Sequence, residues 1–214
     1  MKKTMKTISR AVSLAAVAAV GFTLLAGAPA QAAVGEVEPI DLQWSFEGVF
    51  GTYDRDALRR GYKVYKEVCS VCHSMQYVRF RNLAQPGGPE FSEGQVKTLA
   101  AEITVEDGPN SDGEMFERPG EPKDAFPSPY PNPEAAAAAL GAVAPDLSLM
   151  TKARPGGADY VYSLLVGYEE APEDFNLTTG SYNKYFPAHM IALPHPLSAA
   201  QVAHTDVTPH HDHQ

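Results

Sequence analysis

Two cysteines in 214 residues are too few for a disulfide scaffold. Basic side chains are scarce, with 17 Lys+Arg against 26 Asp+Glu and a formal charge of −9, which argues against nucleic acid as a partner. After residue 32 no stretch is apolar and long enough to cross a bilayer, which takes about 20 residues. There is no G-x-S-x-G elbow and no phosphate-cradling glycine loop, so little points to hydrolytic or nucleotide chemistry. Internal repeats and strand-like alternation are also missing, and no sheet is expected. What is present is 44% hydrophobic residues. That excludes a wholly disordered chain, a collagen and a polytopic membrane protein. The length fits one domain, and 18 prolines and 17 glycines imply that much of it is loop.

Residues 1–32 read as a secretory signal peptide. Lys2, Lys3, Lys6 and Arg10 form a basic start, Ala11 to Leu25 an apolar run, and Ala30-Gln31-Ala32 a cleavage site of the A-x-A type. The run is short for a transmembrane anchor. Cleavage removes four basic residues and no acidic one, which takes the formal charge from −9 to −13. A charged partner surface should then be basic.

In the mature chain, residues 33–214, an irregular start carries an apolar cluster at Trp44, Phe46, Val49 and Phe50. Asp54 or Asp56 caps a helix expected to run to about Met75, with Leu58, Tyr62, Tyr65 and Val68 as its apolar stripe. Gly61, inside that helix, suggests a close approach to another element. Residues 82–133 read as loop, with a turn cluster at 86–89 and an acidic run that is ordinarily a solvated surface. Asn132, Pro133 and Glu134 start a short Ala-rich helix that Gly141 ends. A helical turn is expected over Leu147 to Lys152 and a helix from Ala158 to Tyr168, with Val161, Leu164, Leu165 and Tyr168 on one face. Residues 198–214 read as a flexible His-rich tail.

The chemistry sits in Cys69-Ser70-Val71-Cys72-His73. C-x-x-C-H is the attachment signature of haem c. Two thiols at this spacing can each bond one vinyl group, and the histidine that follows supplies an axial iron ligand. A redox disulfide would call for a thioredoxin-like βαβ setting, which is absent. A structural zinc site needs two further ligands, which the tail histidines His204, His210, His211 and His213 could supply.

Around this motif the chain resembles the cytochrome c1 family, the haem subunit of the quinol–cytochrome c oxidoreductase (bc1) complex of alphaproteobacterial or mitochondrial type. The resemblance covers roughly residues 41–209. It is carried by Trp44-Ser45-Phe46-Glu47-Gly48, Arg59-Arg60-Gly61-Tyr62-Lys63-Val64-Tyr65 and Cys69 to Met75. It continues through Ala144-Pro145-Asp146-Leu147-Ser148-Leu149, Lys152 to Val161 and Tyr182-Asn183-Lys184-Tyr185-Phe186-Pro187. It implies a mostly α, cytochrome c-type haem domain with long loop insertions. It also implies one covalent haem c on Cys69 and Cys72 with His73 on the iron. Pro145 would pack beside that histidine, and Arg154 and Tyr160 would lie near the propionates. A guanidinium there makes physical sense, because a sequestered carboxylate needs a charge-assisted partner. The implied role is electron carrier rather than enzyme in its own right. Electrons would come from a Rieske iron–sulfur subunit and pass to a soluble basic cytochrome c, on the periplasmic side of the inner membrane beside cytochrome b. Glu169, Glu170, Glu173 and Asp174 are candidates for the acidic docking surface.

The sequence departs from the family in two places. The register set by Pro187 and Pro196-Leu197 puts Leu193 where the family has its sixth-ligand methionine, and leucine has no lone pair for iron. Met190 is the favoured substitute because it keeps a sulfur ligand. His189 or His195 would instead give bis-histidine iron, and an open site would suit a soluble, ligand-binding or peroxidase-like haem protein. The family also continues into a helix that packs on the first helix and then a membrane anchor, whereas this sequence stops at His210-His211-Asp212-His213-Gln214. The chain is then a fragment or its C-terminal portion has diverged, and membrane association is expected through partner subunits of the complex, or absent.

Overall fold

The computed structural model describes residues 37–199 and 201–203. The signal-peptide reading and the tail histidines lie outside the described residues. Helices dominate: α1 (Arg55–Glu67), α2 (Glu93–Ala101), α3 (Pro133–Leu140), α4 (Met150–Ala153) and α5 (Gly157–Val166). Among the described residues, strand is confined to two antiparallel two-stranded ribbons. One is β1 (Thr104–Asp107) with β2 (Phe116–Pro119), the other β3 (Ser181–Tyr182) with β4 (Met190–Ile191). The expectation of no sheet is corrected to that extent.

Local chemistry explains the helix ends. Asp54 caps α1, its carboxylate accepting from the backbone N–H groups of Asp56 at 2.9 Å and Ala57 at 3.1 Å. The helix stops at Glu67, eight residues short of the expected end. There Ser70 Oγ donates to the Lys66 carbonyl at 2.7 Å, competing for the helical ladder. A 3-10 turn over Cys69–Val71 follows. At α3, Asn132 Oδ1 accepts from Ala135 N at 2.8 Å, and Gly141 closes the helix in the left-handed region at φ +75°, as the sequence indicates.

Residues 82–133 are not the continuous loop expected. A 3-10 turn at Phe80–Ala84 packs against α2. Ser92 and Gln95 form a reciprocal capping box at the start of α2. The β1–β2 ribbon escapes alternation because its strands are short and bury few side chains. Arg118 holds it, paired with Asp107 and bonded through both terminal nitrogens to Asp124 at 2.7 and 3.0 Å.

The core consists of Phe80, Leu83, Val96, Ala100 and Phe126, with Tyr62 and Tyr65 of α1 packed onto it. The stripe of α1 therefore faces this cluster. Gly61 is exposed, and a Cβ there would meet nothing within 4 Å, so no close approach at Gly61 is seen among the described residues. Trp44 stacks on Phe46 at 5.5 Å, but Val49 and Phe50 stand 94% exposed beyond the Gly48 turn and leave the expected apolar cluster.

A second packed region joins α5 to both ends of the described chain. Trp44 Nε1 donates to Asp159 at 2.6 Å, and Ile40 N donates to the fully buried Ser163 Oγ at 2.7 Å. Asn183, also fully buried, donates from Nδ2 to the Leu164 carbonyl at 2.8 Å and accepts from Tyr185 N at 3.0 Å. Gly167 permits this approach. A Cβ there would sit 2.5 Å from the Tyr185 ring and 2.8 Å from the Ser163 carbonyl, so no larger residue fits without moving backbone.

Candidate functional site

Cys69, Cys72 and His73 are brought together by the tight turn that ends α1. Both Cys72 N (3.2 Å) and His73 N (2.9 Å) donate to the Cys69 carbonyl. The two thiols are free and half-buried. Burial pushes the Cys69 thiol above its ordinary pKa, the neighbouring Cys72 adding to the effect against an opposing backbone hydrogen bond. Burial therefore favours the thiol form of Cys69 over the thiolate.

A second segment, residues 145–148, lies along residues 73–77. His73 Nδ1 is 2.8 Å from the Pro145 carbonyl. That carbonyl can only accept, so Nδ1 carries the proton and Nε2 keeps its lone pair. Leu147 N donates to the Ser74 carbonyl at 2.9 Å. The Asp146 carboxylate accepts from Ser74 Oγ (2.8 Å), Gln76 N (2.9 Å) and Ser148 N (2.9 Å). Ser148 Oγ in turn accepts from Tyr77 N at 3.1 Å. The resemblance singles out Pro145 but not its hydrogen-bond role, nor Ser74, Asp146 or Ser148. The Asp146–Ser148 link is an Asx turn, a signal that Asp after Pro at a loop start does carry.

These residues fit a covalent haem c. The donor set is two free thiols and an imidazole with its Nε2 lone pair available, the last oriented by a backbone carbonyl as haem ligands commonly are. Val71, between the thiols, is 63% exposed, and Leu149, after the docked segment, is 52% exposed. They supply apolar surface of the kind a porphyrin covers. Tyr65 Oη, one turn before Cys69, is buried with no hydrogen-bond partner among the described residues. Burial, helped by Asp146 and Cys69, pushes its pKa up to about 12, so the phenol remains a donor.

The remaining sequence candidates lie on other elements. Arg154 is exposed at the end of α4, and Tyr160 is half-buried in α5. The turn between them is closed by Gly157 N donating to the Arg154 carbonyl at 3.1 Å. Among the described residues, no hydrogen bond or ion pair ties either side chain to residues 69–77. Met190 is half-buried in β4, its sulfur accepting from Thr178 Oγ1 at 3.4 Å. The Leu193 carbonyl accepts from Tyr168 Oη at 3.2 Å, and His195 stacks on that tyrosine at 4.9 Å. His189 sits at φ +57° with Nδ1 2.9 Å from the Lys184 carbonyl. Glu169, Glu170, Glu173 and Asp174 are all exposed. No helix among the described residues is long and apolar enough to cross a membrane, and none of their His, Cys, Asp and Glu side chains cluster as a metal site.

Two carboxylates give the fold an acid-sensitive window. Burial opposes ionisation of Asp146, but hydrogen bonds from Ser148, Gln76 and Ser74 outweigh it and hold its pKa down to about 2. Arg118 holds Asp124 at about 2 as well, against the opposing effect of burial. Both folded values lie below the ordinary 3.8. Their stabilisation is complete above about pH 4 and is lost as pH falls through about 2. Melting temperature should therefore hold level down to about pH 4 and then drop. Circular dichroism melts across that range check this, and a curve flat to about pH 2 contradicts it.

The Cytochrome C1 family model matches residues 44–214. The chain is 48% identical over 219 residues to cytochrome b/c1 of Bradyrhizobium diazoefficiens, covering 92% of this chain and 32% of that protein. It is 44% identical over 212 residues to cytochrome c1 of Rhodospirillum rubrum, covering 90% and 76% respectively. The likeness to a Solanum tuberosum protein named cytochrome c1-2, heme protein, mitochondrial is 48% over 168 residues, with 78% of this chain and 64% of that one covered. The chain thus spans about a third of the first relative and about three quarters of the second. The ordered motifs, the turn that gathers Cys69, Cys72 and His73, and these matches agree: the chain belongs to the cytochrome c1 family.

Proposed function

We propose that the chain is a one-electron carrier that holds a single haem c on Cys69 and Cys72, with His73 as axial ligand. The observation that carries this reading is the pairing of two free thiols on one turn with an imidazole whose Nδ1 faces the Pro145 carbonyl at 2.8 Å. Bound haem supplies an iron that cycles between ferric and ferrous states.

The chain's own contribution is positional. The 3-10 turn presents both sulfurs on one short stretch, so the group would be fixed at two points. Pro145 selects the His73 tautomer and raises the donor strength of Nε2. Arg154 and Tyr160 would hold the group's carboxylates, and Met190 would offer the metal a thioether, a soft donor that favours its reduced state. The name cytochrome b/c1 of one relative supports a place beside cytochrome b, and in this reading the chain would take electrons from a Rieske iron–sulfur subunit on the periplasmic side of the inner membrane. Onward transfer would go to a soluble, basic cytochrome c. The excess of Asp and Glu and the exposed group from Glu169 to Asp174 would steer that acceptor through long-range attraction.

Intact mass and the pyridine haemochrome spectrum of the full chain, exported alongside haem c maturation factors, test the reading. One added haem is expected on the wild type and none on the double variant Cys69→Ala, Cys72→Ala. A wild-type chain with no added group overturns it. The transfer rate to a basic cytochrome c should fall as salt rises, since screening at physiological ionic strength acts beyond about 8 Å. A rate indifferent to salt removes the acidic docking surface from the proposal.

A further inference from the structure

We infer that Asp146 is a positioning residue for His73, with Ser74 and Ser148 as its partners. Its carboxylate locks the Pro145 carbonyl against the imidazole and so sets the donor strength of the axial nitrogen. The inference rests on the haem reading above and adds a means by which this chain tunes the metal it would hold.

Pro145 itself is exposed and has no N–H to anchor it. Its carbonyl is held by what the next residue does. Asp146 Oδ2 accepts two hydrogen bonds from the histidine's own segment, from Ser74 Oγ and Gln76 N, while Oδ1 accepts from Ser148 N within the Pro145 segment. Ser148 Oγ then accepts from Tyr77 N, and Leu147 N donates to the Ser74 carbonyl. One carboxylate thus stitches residues 74–76 to residue 148, and the His73–Pro145 contact lies at one end of that seam. A hydrogen bond weakens steeply with distance and angle, and the partner of a ligating imidazole's outer nitrogen controls its basicity. Loosening the seam should therefore alter the metal without touching it.

Charge also has to be separated from geometry, because removing any nearby carboxylate favours the reduced state electrostatically. Asparagine at 146 loses the charge and also turns an N–H₂ group toward donors that need an acceptor. The pair Ser74→Ala, Ser148→Ala removes two of the seam's hydrogen bonds with no change of charge. The pair Ser74→Thr, Ser148→Thr keeps both hydroxyls.

The experiment is redox titration and low-temperature EPR of the haem-loaded full chain. A weaker Nδ1 hydrogen bond makes Nε2 a poorer donor, so the midpoint potential should rise in Asp146→Asn and in the alanine pair, with shifted g-values. It should stay at the wild-type value in the threonine pair. Haem content should remain one per chain. If Asp146→Asn does not accumulate, the serine pairs decide the matter. An alanine pair with wild-type potential and g-values overturns the inference, and so does a threonine pair that shifts as far as the alanine pair. A wild type without a haemochrome signal defeats the haem reading instead, and the two failures are told apart by that signal.

Discussion

Phe126→Ala should destabilise the fold by about 3–5 kcal/mol, the cost of truncating a large buried aromatic and leaving a cavity. The ring is 5% exposed and lies 4.9 Å from Phe80, 5.6 Å from Tyr65 in a stacked pair and 5.9 Å from Tyr62. Its ring meets both α1 tyrosines and Phe80 of the turn at Phe80–Ala84. Its backbone is fixed as well, with Phe126 N donating to the Val78 carbonyl at 2.9 Å. A domain holds only about 5–15 kcal/mol in all, so the variant should unfold at much lower denaturant. Because α1 leads directly into Cys69, it should also reach the haem-loaded state poorly. Phe50→Ala is the matched control: at 94% exposure it should change stability by no more than about 0.5 kcal/mol. Chemical denaturation of both variants checks the pair. Equal midpoints would show that the aromatic cluster is not what holds α1 in place.

That cluster shows which parts of the fold were legible in the sequence. Where one residue's chemistry decides an outcome, the sequence reading held. Asn132, Pro133 and Gly141 bound α3, Asp54 caps α1, and the C-x-x-C-H spacing gathers its three residues on one turn. Where a particular side-chain bond decides, without an apolar pattern to mark it, less is legible. The apolar stripe of α1 reaches Val68 and no stop signal follows it before Met75. The helix gives way to a 3-10 turn after Glu67, where the Ser70 hydroxyl bonds back to the Lys66 carbonyl. The α2 capping box at Ser92 and Gln95 was present but masked by the surrounding Pro and Gly. The β1–β2 ribbon lacks the alternation that marks a strand and depends on Arg118 bridging Asp107 and Asp124. At the site, the resemblance pointed to Pro145, but the seam that seats its carbonyl joins residues 70 or more apart and no local pattern announces it. Gly61 shows the limit of another signal: a glycine in a helix says that a Cβ is absent, and among the described residues nothing lies within 4 Å of where one would be.

Met190→Ala should produce the largest change in the spectrum of the haem-loaded chain. With the thioether on the iron, the oxidised protein would show a near-infrared sulfur-to-metal band and a raised potential. Removing the sulfur should abolish the band, lower the potential and let carbon monoxide bind the reduced form quickly. The case for Met190 begins with the register read from Pro187 and Pro196-Leu197, which would put Leu193, a side chain without a lone pair, at the family's ligand position. The local structure narrows the substitutes. His189 is committed through Nδ1 to the Lys184 carbonyl, and its ring packs against Tyr182 at 5.5 Å and Phe175 at 6.4 Å. His195 is stacked on Tyr168 at 4.9 Å with a 24° tilt. Met190 has given up only one weak interaction, the 3.4 Å contact from Thr178 Oγ1 to its sulfur, and a thioether is a weak acceptor. It is therefore the donor that costs least to redirect. The decisive comparison sets Met190→Ala beside His195→Ala. A band lost only in the methionine variant assigns the sulfur. A band missing from the wild type, with a low potential that rises only when His195 is removed, assigns the imidazole and withdraws Met190.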